Sequence, residues 1–413
     1  MQDKNLAVLT EYGVAEGDLF EDAREALKWV KSYLKVNDDW PTIKMLQETT
    51  GIIMPVDDEK VAHVADQVRK RRLGLDLSNQ LQSAARQLEE RDPDSALKII
   101  QEFSLRSHAK RESLVSHRAS ANKRVALYDA AKAAGGLIGI RTPWDTLNTW
   151  IQGWVDGTLN VIMGMQGCGK TWCLTILANH CLNYGKRVLF VTMEMDTGRI
   201  QRRLDAVRYK IPFGGFRDAS LDMTEEARWK VEVKKDEVGV GDVMFADKKL
   251  VERVHDVTSL VYEYRPDIVL IDGGYRFKGT GASHWESTAS IVGDLQAAAE
   301  MTGVPWVVTT QYGDAAETGK EKKRGPKMRA WGVRYGKEWV INPDVAIGVY
   351  QSQDLRLMQR MEIHALKMRE ATGTGKSNVF QIKWDHDMME FNEIDDEEGS
   401  PDVGEVIKSE VEF

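Results

Sequence analysis

Apolar positions along the chain change their period partway through. Over the first hundred residues they recur at helical spacing. Ala23, Leu27, Val30 and Leu34 share one helix face, as do Val61, Val64, Ala65 and Val68, and then Leu77, Leu81 and Leu88. Pro41-Thr42 and Asp92-Pro93 read as helix starts. From Arg106 to Lys132 the pattern lapses into Ser, Arg, Lys and Ala, which reads as a linker containing a helix. From about Leu159 the period shortens. Apolar, β-branched runs at Leu159–Met163, Val188–Thr192, Ile268–Ile271, Trp306–Thr310 and Val345–Val349 alternate with helical stretches. Continuous apolar strands separated by helices predict a parallel sheet covered on both faces, an α/β fold preceded by an all-α region. Such sheets bind ligands beyond the carboxyl ends of their strands, so the residues after each run are the candidates for chemistry.

The first run is followed by Gly164-Met165-Gln166-Gly167-Cys168-Gly169-Lys170-Thr171, which satisfies G-x-x-x-x-G-K-[ST]. Glycines there let backbone amides turn toward phosphate oxygens, and the helix that opens at Lys170 and Thr171 adds its positive end. Lys170 would reach the β- and γ-phosphates of ATP and the Thr171 hydroxyl would bind Mg²⁺. The second run ends at Val191-Thr192-Met193-Glu194, which sets a carboxylate at a strand tip, where it can orient an attacking water or simply cap the next helix. The third is Asp267-Ile268-Val269-Leu270-Ile271-Asp272, a strand ending in the aspartate that holds Mg²⁺ in P-loop enzymes. The fourth ends in Thr309-Thr310-Gln311, whose amide would report the state of the γ-phosphate or bond to loop backbone. Four polar groups at successive strand ends predict one active crevice. Past Gln311 come Lys320, Lys322, Lys323, Arg324, Lys327 and Arg329, and the loop after Asp272 holds Arg276 and Lys278. These cations are the candidates for contact with single-stranded DNA, against the alternative of a solvated charged surface. Lys367 and Arg369, two residues apart after Met361–Ala365, point to one face and would finish a phosphate site in this subunit or a neighbour's.

Charge changes this picture little. The net charge is −8 over 413 residues, and residues 393–413 alone hold nine acidic side chains against one lysine. The rest of the chain is therefore neutral, which leaves room for a basic channel. Cys168, Cys173 and Cys181 fit no zinc template, and no apolar run approaches the roughly 18 residues that span a bilayer. A cytoplasmic, reduced setting and no membrane partner are expected.

Taken in order, these motifs resemble the DnaB-type hexameric replicative helicases, over about residues 20 to 392. Ile138-Gly139-Ile140-Arg141-Thr142-Pro143-Trp144-Asp145-Thr146-Leu147-Asn148 resembles the family's entry into its motor domain, and Met193-Glu194-Met195 its Leu-Glu-Met. Pro343-Asp344-Val345-Ala346 resembles its Ala-Asp-Val-Val. The resemblance implies a RecA-like P-loop ATPase core at 135–392. It also implies a helical collar at 1–105, a linker with a helix at 106–134, and an acidic tail at 393–413. Glu194 would be the catalytic base, Arg203 and Trp172 would lie by the nucleotide, Asp272 would hold Mg²⁺ and Gln311 would be the sensor. Lys367 and Arg369 would reach the γ-phosphate of the next subunit in a homo-hexamer that moves 5′ to 3′ on single-stranded DNA. A helicase loader, a primase and a polymerase are the expected partners, with the acidic tail expected to bind a polymerase or a loader, in a bacterial or phage-infected bacterial cell. The P-loop departs from the family's Arg-Pro-Ser-Met-Gly-Lys-Thr, and Asp272 is followed by Gly273-Gly274-Tyr275 instead of Tyr-Leu-Gln, as expected of a phage-encoded or otherwise divergent member. A RecA-like recombinase that does not unwind DNA, and a regulatory ATP switch, share the P-loop, Glu194 and Asp272.

Overall fold

The computed structural model describes residues 21–37, 39–51, 61–93, 120–236, 239–281, 283–311, 337–369, 378–387 and 389–394, with a few isolated positions before 120. The chain divides into two compact units, Met1–Ala130 and Ala131–Phe413.

The first unit is helical among its described residues, with helices at Glu21–Asn37, Ile43–Thr50 and Val61–Glu89. Thr42 caps the second, its hydroxyl accepting from the Met45 amide at 3.2 Å, and Gly51 ends it with a left-handed φ of 68°. Val30 of the first helix packs with Ala26 and Leu46 in a small buried cluster, with Leu34 against it, whereas Ala23 of the same predicted face is exposed. In the long third helix the apolar repeat does not report burial, because Leu77, Leu81 and Leu88 are all exposed. The helix Ala121–Ala133 has no buried residue, and Val125, Leu127 and Tyr128 face solvent.

The second unit is built on an eight-stranded sheet in the order β3-β2-β4-β5-β1-β6-β7-β8. The strands are β1 (Leu159–Gly164), β2 (Arg187–Thr192), β3 (Asp242–Asp247), β4 (Ile268–Asp272), β5 (Trp306–Gln311), β6 (Val345–Tyr350), β7 (Arg360–Met368) and β8 (Val379–Lys383). β3 through β6 pair in parallel, while β7 runs antiparallel to both β6 and β8. The predicted runs coincide with β1, β2, β4, β5 and β6, and the β-like stretch Met361–Ala365 falls within β7. β3 carries too little apolar character to show in the pattern, since all but one of its residues are partly or fully exposed.

Alternation within each strand sorts its residues to two cores. Ile162, Val188, Phe190, Ile268, Leu270 and Val307 face a core formed with helices Lys170–Asn183 and Thr197–Tyr209. Val161, Met163, Leu189, Val191, Val269, Ile271 and Val308 face the other, with helices Val254–Tyr264 and His284–Thr302. Asp272 and Gln311 keep step with the first set, so both turn toward the helix that follows the P-loop. The entry segment closes on the far end of the chain: Trp144 Nε1 donates to the Phe391 carbonyl at 3.0 Å, and the Thr146 amide to Glu393 at 3.0 Å.

Candidate nucleotide site

The site grows from four strand ends brought side by side, those of β2, β4, β5 and β1. β1 lies between β5 and β6, and its end opens into the P-loop. Gly169 caps the helix Lys170–Asn183 at a φ of 99°, and a Cβ there would lie 2.5 Å from Trp384 Cζ2, so only glycine fits between loop and ring. Lys170 is buried, and its ammonium donates to the carbonyls of Gly164 at 2.9 Å and Met165 at 2.8 Å. Burial pushes the Cys168 thiol up, and does the same to Cys173 and Cys181, so none of the three is a ready nucleophile. A cavity of about 410 Å³ opens beside Gly167, Gly169 and Trp172, walled by Gln351, Arg356, Trp384 and His386.

Next to the P-loop, Asp272 is 1% exposed. One of its carboxylate oxygens accepts from the Thr171 hydroxyl at 2.9 Å and the other from Thr309 at 3.0 Å. Burial, together with the charge of Glu194, holds the Asp272 carboxyl above the usual carboxylate range. A buried carboxylate paired with a hydroxyl is a hard oxygen donor set that suits Mg²⁺. Such an ion takes one or two protein ligands and completes its shell with phosphates and water. Among the described residues no cluster of three or more His, Cys, Asp or Glu competes with this pair as a metal site.

Glu194 lies beyond the end of β2, where the Met193 amide still donates to the Asp272 carbonyl at 2.9 Å. Its Oε1 accepts from the Tyr275 hydroxyl at 2.5 Å, and that hydroxyl accepts from Gln311 Nε2 at 2.6 Å. Arg276 joins the group, its Nε 3.9 Å from Glu194 Oε1. Glu194, Asp272 and Gln311 thus meet at one place, as the strand-end rule predicts. Arg276 belongs to this crevice, while Lys278 pairs with Glu252 at 2.7 Å on an exposed loop. The other six DNA candidates, Lys320, Lys322, Lys323, Arg324, Lys327 and Arg329, lie outside the described residues, as does the tail from 395 onward.

Arg203 stacks its guanidinium over Trp172 at 5.1 Å and lies 5.9 Å from the Phe213 ring. Its buried Nε has no hydrogen-bond partner among the described residues, and burial lowers its pKa while the charge of Asp272 opposes that. Trp172 is itself half-buried in an aromatic cluster with Phe213, His386 and Phe391. Lys367 and Arg369 sit elsewhere. Lys367 Nζ donates to the Ile341 carbonyl and, at 2.6 Å, to that of Pro343, and Arg369 pairs with Asp344 at 2.8 Å. Asp344 also accepts from the Leu159 amide, which opens β1. Both cations therefore stand at the amino ends of β1 and β6, the opposite end of the sheet from the P-loop. They cannot complete the phosphate site of their own subunit. A larger cavity of about 750 Å³ also lies at amino ends, beside β2 and β3, where Arg208 is tied to Asp236; its distance from the P-loop excludes it as the nucleotide site.

Sequence reading missed Tyr275, Thr309 and the wall formed by Trp384 and His386. Tyr275 had a local signal, the Gly-Gly pair after a strand-ending aspartate. Trp384 and His386 had none, being more than two hundred residues from the loop they cover.

A mostly parallel sheet with a phosphate loop at the carboxyl end of β1, a buried strand-end aspartate and a strand-end glutamate is a P-loop fold of the RecA-like kind, with the layout of a nucleotide-binding domain. Comparison with known proteins places it further. Residues 136–317 match a family model described as an AAA domain. A DnaB-like replicative helicase of Enterobacteria phage T4 is 22% identical over 267 residues, covering 62% of this chain and 54% of that protein. The chain thus spans about half the length of that curated relative. Among solved structures, a DnaB-like replicative helicase described with its primase interactions superposes with a TM-score of 0.62 at 13% identity, covering 94% of this chain and 96% of that one. A second solved structure, an isolated ATPase domain, gives a TM-score of 0.58 at 16% identity, covering 67% of this chain and 99% of that one. The resemblance to the DnaB-type replicative helicases is therefore shared by motifs, relatives and fold. No helix among the described residues is long and apolar enough to cross a membrane.

Proposed function

We propose that the protein is a replicative DNA helicase that hydrolyses ATP to move along single-stranded DNA. The observation that carries this reading is the division of the phosphate machinery between two ends of one sheet. Lys170, Thr171, Asp272 and Glu194 gather at the carboxyl ends, while Lys367 and Arg369 are held at the amino ends. A ring of subunits brings the second set of one copy against the first set of the next, and a hexamer is the form proposed.

In this reading the P-loop amides and Lys170 hold the β- and γ-phosphates, and the cavity by Trp384 and His386 takes the nucleoside end. Arg203, with an unsatisfied buried nitrogen, is available to the nucleotide. Thr171 and Asp272 would hold Mg²⁺, which neutralises charge on the phosphates when bound. Glu194 orients the attacking water and takes its proton. Arg369 of the neighbouring copy stabilises charge on the transferred phosphoryl group, and Lys367 supports it. Gln311 passes the loss of the γ-phosphate to the DNA-binding cations. The loader, primase and polymerase stand as proposed partners, the polymerase or the loader through the acidic tail.

The test is strand displacement on a forked duplex with a 5′ single-stranded tail, with ATP and Mg²⁺. Displacement by the wild type that requires the 5′ tail and is lost when only a 3′ tail is offered supports the 5′-to-3′ helicase. DNA-stimulated hydrolysis without displacement favours the recombinase, and hydrolysis indifferent to DNA favours the ATP switch. Arg369→Ala is expected to lower ATP turnover by about a thousand-fold or more, the range of an arginine finger. Nucleotide affinity and assembly, followed by equilibrium binding and sedimentation, should stay near wild type, because Arg369 lies away from its own P-loop. Loss of assembly instead would assign Arg369 and its partner Asp344 a structural role.

A further inference from the structure

The loop after Asp272 departs from the family pattern, and the departure has a physical reason. Gly273 has a φ of 86°, and a Cβ there would lie 2.8 Å from Glu194 Cγ and 3.2 Å from its Oε1. At Gly274 a Cβ would lie 2.3 Å from Val308 Cγ1. Two glycines are what allow the chain to leave β4 in the tight 3₁₀ turn Gly274–Arg276 with Glu194 lying directly against it. That turn brings the Tyr275 ring over the end of β2. Its hydroxyl gives its only proton to Glu194 Oε1 at 2.5 Å and accepts from Gln311 Nε2 at 2.6 Å. Arg276 Nε is 3.4 Å from the same hydroxyl, and its guanidinium lies 5.5 Å from the Tyr275 ring centroid. Burial and the neighbouring Glu194 carboxylate push the phenol up to about 12, so it remains a donor at neutral pH. One hydroxyl therefore joins the glutamate at the end of β2, the amide at the end of β5 and a half-exposed cation on the loop between.

We propose that Tyr275 is a positioning residue that couples Glu194 to Gln311 and Arg276. Its hydroxyl occupies a carboxylate lone pair that the attacking water needs, until a DNA phosphate on Arg276 and a shift of Gln311 draw the phenol away. The coupling is specific to this arrangement, because a phenol is long enough to span β2 to β5 and can donate and accept at once. It rests on the reading of Glu194 as the base that orients water.

The experiment is steady-state ATP turnover of full-length Tyr275→Phe with and without oligo(dT), beside Glu194→Gln and the wild type. Tyr275→Phe removes one oxygen and keeps the ring. Basal turnover should rise about ten-fold, the scale of one lost hydrogen bond to a charged group. The DNA-stimulated rate and the KM for ATP should stay within about two-fold, so that the stimulation ratio falls toward one. A basal rate and ratio that match the wild type would overturn the proposal. So would a lower basal rate with the ratio preserved, since Tyr275 would then only hold Glu194 in its working position. Arg276→Gln gives an independent reading, because it leaves the phenol in place; it should lower the ratio of DNA-stimulated to basal turnover, and an undiminished ratio counts against the coupling. Wild-type turnover by Glu194→Gln would remove the base reading itself, whereas an inactive Glu194→Gln beside an unaltered Tyr275→Phe removes only the coupling.

Discussion

Lys170→Ala should lower ATP turnover by two to three orders of magnitude, roughly the loss expected when a preorganised charge is taken from a developing one. The ammonium is buried and its visible partners are two neutral carbonyls, Gly164 at 2.9 Å and Met165 at 2.8 Å. Two dipoles offset only part of the cost of withdrawing an ammonium from water, so the charge is held ready for a stronger partner. A nucleotide phosphate is the partner proposed for it, and no other cation lies on the P-loop itself. Alanine leaves the two carbonyls without their donor, a penalty of about 1 to 3 kcal/mol. It also removes a buried charge, which offsets part of that penalty, so the melting temperature should move by only a few degrees. Turnover, nucleotide affinity and a thermal melt measured together check this. A folded Lys170→Ala that hydrolyses ATP at the wild-type rate would remove the P-loop from the mechanism.

Glu194→Gln is the second large effect. Turnover should fall by roughly a hundred- to ten-thousand-fold, the range of a lost general base. ATP affinity should be nearly kept, because Glu194 stands beyond β2, whereas Lys170 and Thr171 are the residues proposed to hold the phosphates and metal. A glutamine carbonyl can still accept from Tyr275, so the local packing against Gly273 survives. Binding of a labelled ATP analogue, followed alongside single-turnover hydrolysis, separates the two properties. Retained binding without hydrolysis assigns Glu194 to chemistry, and loss of both would make it a support for the loop after β2.

Much of the candidate site was legible because it is written locally. The P-loop is a contiguous motif whose glycines are needed for backbone reasons alone. Asp272 and Gln311 were legible because each ends a buried strand, and a buried apolar run that stops at a polar group marks a place where the sheet meets a ligand. Residues that depend on return contacts were not legible. Tyr275 matters only because a 3₁₀ turn folds it over the end of β2, and Arg276 looked like one more loop cation until the same turn set it beside Glu194. The helical repeat of Leu77, Leu81 and Leu88 is real as a period, yet the residues are exposed within this chain, since period reports the shape of a helix and not what covers it.

Residue order alone was enough for the α/β class, six of the eight strands, the phosphate-loop motif and the placing of Glu194 and Asp272 at strand ends. These follow from rules that act over a few residues: side-chain alternation, the steric freedom of glycine and the run length of buried strands. Strand order, however, depends on which pairings bury the most apolar surface across the whole sheet, and no local window contains that choice. It took the folded chain to place β1 between β5 and β6, to set Thr171 2.9 Å from Asp272, and to carry Lys367 and Arg369 to the opposite end of the sheet from the P-loop. That last separation comes from β7 running antiparallel, which turns its final residues toward the amino ends of its neighbours.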